Sequence, residues 1–157
     1  MKKTFLFFLG ISCVLAAADQ LVKQAIRKIP HGSVVVRVSP LFEITHCTNT
    51  GAAFSLLSGY NALLVVGSVL LLCAIAYVVF CRVRLSFAGR MAFAVLLGGG
   101  AGNFIDRIVF GGVTDYIRLL FIRFPVFNLA DILITVSAVV LMILSFADKL
   151  EIKTGEE

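Results

Sequence analysis

The stretch GGGAGNFIDRIVFGGVTDYIRLLFIRFPVFNLAD, residues 98–131, decides the reading of this chain. It holds Asn103, Asp106, Arg107, Asp115, Asn128 and Asp131 in a sequence that otherwise avoids charge. At each end it runs into an apolar segment long enough to be a membrane helix. An ionisable side chain in hydrocarbon costs roughly 2.5–3.5 kcal/mol on insertion scales, so its presence there is a functional-site hypothesis by default.

The surrounding composition agrees. Of 157 residues, 60% are hydrophobic and only 15% are charged, with a mean hydropathy of +1.03. Soluble domains carry about a quarter charged residues, so the sequence reads as an α-helical integral membrane protein. The net charge of +5 does not point to nucleic acid, because the Lys and Arg residues stand singly between apolar spans. Cys13, Cys47, Cys73 and Cys81 show no C-x-x-C spacing, and His46 beside Cys47 lacks the other half of a metal site. No metal, disulfide or cofactor is expected.

Outward from the central stretch, the apolar pattern predicts four transmembrane helices at about 4–21, 60–80, 89–109 and 126–147. Residues 1–18 also have the look of a secretory signal peptide. A retained first helix is preferred, because Asp19 and Lys23 share a face of any helix that continues past Ala18. Residues of about 30–56 are punctuated by Pro30, Gly32 and Pro40 and hold two short β-branched runs, Ser33–Val38 and Leu41–Thr45. They predict a small β-sheet between helices 1 and 2, outside the hydrocarbon and against the bilayer surface. Gly98 and Gly102 have the small-xxx-small spacing of touching helices. Gly111-Gly112 should end helix 3. Asp115 is expected in the loop between helices 3 and 4, and residues 148–157 as a polar tail.

Three polar pairs have helical spacing: Asp19 and Lys23, Asn103 and Arg107, Asn128 and Asp131. Up-and-down connectivity brings the end of helix 1, the end of helix 3 and the start of helix 4 to one membrane face, together with Asp115. Two carboxylates in a partly dry site cannot both ionise easily. The ionised one can take a proton from water attacking a carbonyl while the protonated one donates to the carbonyl oxygen. No G-x-S-x-G or H-E-x-x-H is present, and Ser55 with Lys23 makes a poor serine–lysine dyad. Spacing alone leaves other readings open: helix-end ion pairs, a four-helix ion or proton carrier relaying through Asp106 and Asp131, or a non-catalytic assembly subunit packing through Gly98 and Gly102.

At these residues the sequence resembles the lipoprotein signal peptidases (signal peptidase II), bacterial membrane aspartyl peptidases. Asp19-Gln20-Leu21-Val22-Lys23 resembles D-Q-x-x-K, and Asn49-Thr50-Gly51-Ala52-Ala53-Phe54-Ser55 resembles N-x-G-A-A-F-S. Gly102–Arg107 is similar to G-N-x-x-D-R, Val113–Tyr116 to V-V-D-F, and Phe124–Asp131 to F-P-x-F-N-x-A-D. Five blocks in order cover almost the whole chain. The resemblance implies one peptidase domain over residues 1–157, with Asp115 and Asp131 as catalytic dyad. Asn103, Arg107 and Asn128 match positions that line the pocket. Asp106 matches a supporting acid, and Asp19, Lys23, Asn49 and Gly51 match positions that brace the site. It implies cleavage of diacylglyceryl-modified prolipoproteins before the lipidated cysteine, and inhibition by globomycin-type cyclic peptides.

It also implies a cytoplasmic (inner) membrane location with both termini in the cytoplasm and the sheet on the outer surface, near the active site. The fourteen Lys and Arg residues divide evenly between the two faces, so charge leaves that orientation open. The departures from the family pattern are Gly100, Ile132, Thr114 and Tyr116. None is expected to touch the chemistry, with Ile132 pointing away from Asp131.

Overall fold

The computed structural model describes residues 2–51, 56–77, 83–146 and 150–152. The elements in chain order are α1 (Lys2–Arg27), β1 (Val34–Val38), β2 (Phe42–Asn49), α2 (Asn61–Tyr77), β3 (Val83–Leu85), α3 (Phe87–Phe110), β4 (Val113–Leu119), α4 (Leu129–Phe146) and β5 (Leu150–Ile152). By length and composition α1, α3 and α4 can each cross a membrane. α2 is equally apolar and has 17 described residues.

α3 is the centre of the bundle, packed against both α1 and α4, with α2 on its flank. Glycine makes this close approach possible. A Cβ at Gly98 would lie 2.9 Å from Leu15 Cβ, and one at Gly102 would fall on the Asp19 carboxylate. Gly99 faces the other way, where a Cβ would lie 2.7 Å from the Ala130 carbonyl oxygen. The expected small-residue contact is therefore present, with two glycines meeting α1 and a third meeting α4. α2 buries no residue and touches α3 lightly, Leu72 lying over Gly100. Its apolar side chains, Leu63, Val66 and Leu70 among them, face outward as those of a lipid-exposed helix do. α3 ends at Gly111, whose φ of 73° is the left-handed conformation that favours glycine.

The helix limits differ from expectation in two informative ways. α1 runs six residues past the expected end at 21, to Arg27, because its last polar side chains find buried partners. α4 begins at Leu129 rather than about 126, because Asn128 caps it. The sheet is larger than expected. β1, β2 and β4 form an antiparallel three-stranded sheet with β2 central, so a strand from the α3–α4 connection joins the two between α1 and α2. Asp115 is thus held on a strand, not in a loop. Val83–Leu85 and Leu150–Ile152, both apolar-charged-apolar, pair antiparallel where a polar tail was expected.

A bulge between Ile44 and Cys47 matters for the site. Strict alternation from Ile44 would send Cys47 and Asn49 to the opposite face of the sheet. The extra residue returns them to it, so Cys47 stands opposite Asp115 and Asn49 opposite Val113.

If these glycines set the helix spacing, Gly99→Ala and Gly102→Ala should each destabilise the protein by about 1–3 kcal/mol, the usual cost of overpacking. Gly10→Ala, whose Cβ meets nothing within 4 Å, should be nearly neutral. Thermal unfolding in detergent measures the difference.

Candidate active site

The site is built from the ends of three helices and one strand. α4 starts with a reciprocal cap: the Asp131 N–H donates to Asn128 Oδ1 at 2.9 Å and the Asn128 N–H donates to Asp131 Oδ2 at 3.1 Å. This is a capping box with Asn at the N-cap and Asp three residues on. It fixes the Asp131 carboxylate at the mouth of the helix. The other Asp131 oxygen accepts from Asn103 Nδ2 at 2.7 Å.

Asn128 also reaches the second carboxylate. Its Nδ2 donates to Asp115 Oδ1 at 2.6 Å and to Asn103 Oδ1 at 3.2 Å. Asn103 and Asn128 therefore wire Asp115 to Asp131 from behind. Both aspartates line a cavity of about 450 Å³, and Asn49, Asn103 and Arg107 add further polar groups to its lining. Phe124–Phe127 and Ile132, Ile134, Thr135 and Val136 form its apolar wall. Ile132, expected to point away from Asp131, lines the same cavity as that aspartate.

Asp115 is nearly dry, 3% exposed. Burial pushes its carboxyl up to about 7, and the neighbouring charge of Asp131 adds to the rise, while hydrogen bonds from Asn128 and Asn49 oppose it. Cys47, across the strand pair, has its thiol pushed up by burial and by Asp115.

A charged lattice underlies the pair. Lys23 is fully buried, its Nζ 2.8 Å from Asp19 Oδ2, 3.5 Å from Asp106 Oδ2 and 2.8 Å from Asn103 Oδ1. Asp19 Oδ1 accepts from the Ala130 N–H at 3.0 Å, on the first turn of α4. Asp106 Oδ2 accepts from the Thr114 N–H at 2.8 Å, which docks the start of β4 next to Asp115. Its other oxygen takes Gln20 Nε2 at 2.9 Å and Arg27 Nη1 at 3.0 Å. Arg107 Nη2 donates to the Gly51 carbonyl at 3.3 Å, and Asn49 Oδ1 accepts from the Gly51 N–H at 2.9 Å. Asn103 and Asn128 thus touch the aspartate pair directly, Lys23 reaches it through Asn103, and Asp19 and Asp106 hold the backbone amides of Ala130 and Thr114 beside it.

Arg27 and Asn61 carry no signal of their own in the sequence, and Gln20, Thr114 and Tyr116 enter its reading only as motif positions without a role. Asn61 Nδ2 donates to the Arg107 carbonyl at 2.9 Å, joining α2 to the end of α3. Gln20 and Arg27 are seven apart and Lys23 and Arg27 four apart, a stripe legible once α1 is allowed to reach 27. His46 lies on β2, its Nδ1 2.7 Å from the Ile29 carbonyl oxygen. Ala52–Ser55, and with them the serine–lysine alternative, fall outside the described residues, as does Cys81. Among the described residues no three His, Cys, Asp or Glu side chains gather as a metal site.

Known proteins resemble this chain in sequence and in fold. The family model described as Signal peptidase (SPase) II matches residues 11–147. A lipoprotein signal peptidase of Dehalococcoides mccartyi is 38% identical over 148 residues, covering 92% of this chain and 91% of the relative. One of Enterococcus faecalis is 31% identical over 157 residues, covering 99% and 98%. A solved structure of a bacterial membrane enzyme superposes with a TM-score of 0.83 at 28% identity, covering 96% of this chain and 93% of the other.

Replacing Lys23 by Met would leave Asp19 and Asp106 buried with less compensation. Removing one partner of a buried pair costs about 3–5 kcal/mol. Lys23→Met should therefore unfold at a markedly lower temperature in detergent than Lys28→Met, whose parent side chain is exposed.

Proposed function

The chain belongs to the signal peptidase II family, and on that premise we propose that Asp115 and Asp131 are the pair of groups that does its chemistry. The enzyme is a membrane aspartic protease of lipoprotein processing. Family membership does not favour the ion carrier or the assembly subunit. The observation that carries the dyad is the wiring of two carboxylates through Asn103 and Asn128 at the rim of one cavity.

In the working state the pair holds one proton. The ionised carboxylate takes a proton from the attacking water, and the protonated partner donates to the scissile carbonyl oxygen as the tetrahedral species forms. Burial of Asp115 supports this division, because it keeps a proton there into the neutral range. Coupled groups titrate as a unit, so the proton belongs to the pair. Arg107, which lines the cavity, would hold the substrate backbone, and Asn49 would brace the site.

The substrate we infer is a diacylglyceryl-modified prolipoprotein, cut on the amino side of its lipidated cysteine. The apolar wall from Phe124 to Val136 supports an apolar occupant, with the acyl chains left in lipid. A globomycin-type cyclic peptide would occupy the same cavity. The reading extends to residues 1–157 as one peptidase domain in the bacterial inner membrane, with α2 as a fourth crossing. It puts both termini in the cytoplasm and the sheet with the site at the outer face.

Asp115→Asn and Asp131→Asn should each lower cleavage by roughly 100-fold or more, the scale of a lost general acid or base, while the protein still inserts. The assay is a gel shift on lipid-modified prolipoprotein, with an unmodified copy and a chelator as controls. Near-normal cleavage by either variant would sink the assignment.

The pH dependence has a definite sign. Asp115 binds its proton more tightly in the folded than in the unfolded state, so its stabilising contribution is complete below pH 3.8 and lost as pH rises through about 7. Cleavage should fall over the same upper range, as the pair loses its shared proton. Asp115→Asn should gain thermal stability relative to the parent at pH 8, and the gap should close on acidification. A rate that keeps rising to pH 9 would contradict the role given to Asp115.

A further inference from the structure

The residues on either side of Asp115 depart from V-V-D-F, and both departures add a hydroxyl. Thr114 and Tyr116 are 3% and 5% exposed. On a strand, alternate side chains point to opposite faces, so both lie behind the face that carries Asp115. Each hydroxyl oxygen has a definite donor. Thr114 Oγ1 accepts from Arg27 Nη1 at 3.0 Å, the same nitrogen that donates to Asp106 Oδ1 at 3.0 Å. Tyr116 Oη accepts from the Leu129 N–H at 3.0 Å. That amide belongs to the first turn of α4, where N–H groups have no intrahelical partner, and it lies two residues before Asp131.

Arg27 is itself well held. Its Nη2 donates to Gln20 Oε1 at 3.3 Å, and its guanidinium lies 4.1 Å from the centre of the Phe110 ring. β4 is consequently bolted at 114 to α1 and at 116 to α4, with the reacting carboxylate between the bolts. A shift of about 1 Å in a reacting group can cost on the order of 100-fold in rate.

We propose that the Thr114 and Tyr116 hydroxyls, the first acting with Arg27, are positioning groups that set the separation of Asp115 from Asp131. This rests on the dyad assignment above. The two are separated by assaying Asp115→Asn beside the hydroxyl variants Thr114→Val and Tyr116→Phe. Each hydroxyl deletion should lower kcat by about 5- to 50-fold with KM changed less than about twofold, and should move the upper limb of the pH profile. Thr114→Ser, which keeps the oxygen, should restore most of the rate.

An inactive Asp115→Asn beside hydroxyl variants at the parent rate overturns the positioning role and leaves the dyad standing. A lowered melting temperature with unchanged kcat does the same, because it shows a purely structural bond. Equal losses in Thr114→Ser and Thr114→Val also overturn it. An active Asp115→Asn overturns the dyad itself. If Tyr116→Phe fails to fold, the Thr114 pair decides alone.

Discussion

Everything in this molecule leans on one ammonium group in an apolar bundle. Lys23 has no exposed surface and sits among Asp19, Asp106 and the side-chain oxygen of Asn103. A charge in that position is tolerable only with partners of good geometry on every side. Between them the partners hold two elements, α4 and β4. Asp19 grips the first turn of α4, Asp106 grips the Thr114 amide near the start of β4, and Asn103 reaches Asp131. The end of one helix thereby locates the two carboxylates that arrive from elsewhere in the chain.

The start of α4 shows the same economy. Asn128 and Asp131 satisfy the backbone amides that any helix leaves open at its beginning. The same two side chains complete the wiring of the site. The bonds that start the helix also fix the Asp131 carboxylate, so a helix that began one residue earlier or later would displace it.

Much of this was legible in the sequence. The polar residues stand out against the apolar background, and alternating helices carry them to one level. Boundaries were harder, for physical reasons. Lys23 and Arg27 look like residues that mark the water surface, and only their buried acidic partners reveal that α1 continues beneath them. Val113–Leu119 has the β-branched and aromatic content of a strand, yet its partner Phe42–Asn49 lies far back in the chain, where no local pattern announces it. The start of α4 was recoverable, since Asn128-Leu129-Ala130-Asp131 has capping-box spacing. The hydroxyls of Thr114 and Tyr116 were not, because their value depends on an amide and a guanidinium supplied by other elements.

The cavity has two kinds of wall. One is the hydrogen-bonded end, where Asn103, Asp115 and Asp131 are each committed to other polar groups. The other is the apolar side, Phe124, Ile132, Ile134 and Val136, which takes no part in that wiring. A mutation in the second wall can therefore reshape the cavity without disturbing the first. With the aspartate pair as the proposed catalyst, recognition and reactivity become separately evolvable in a chain of 157 residues.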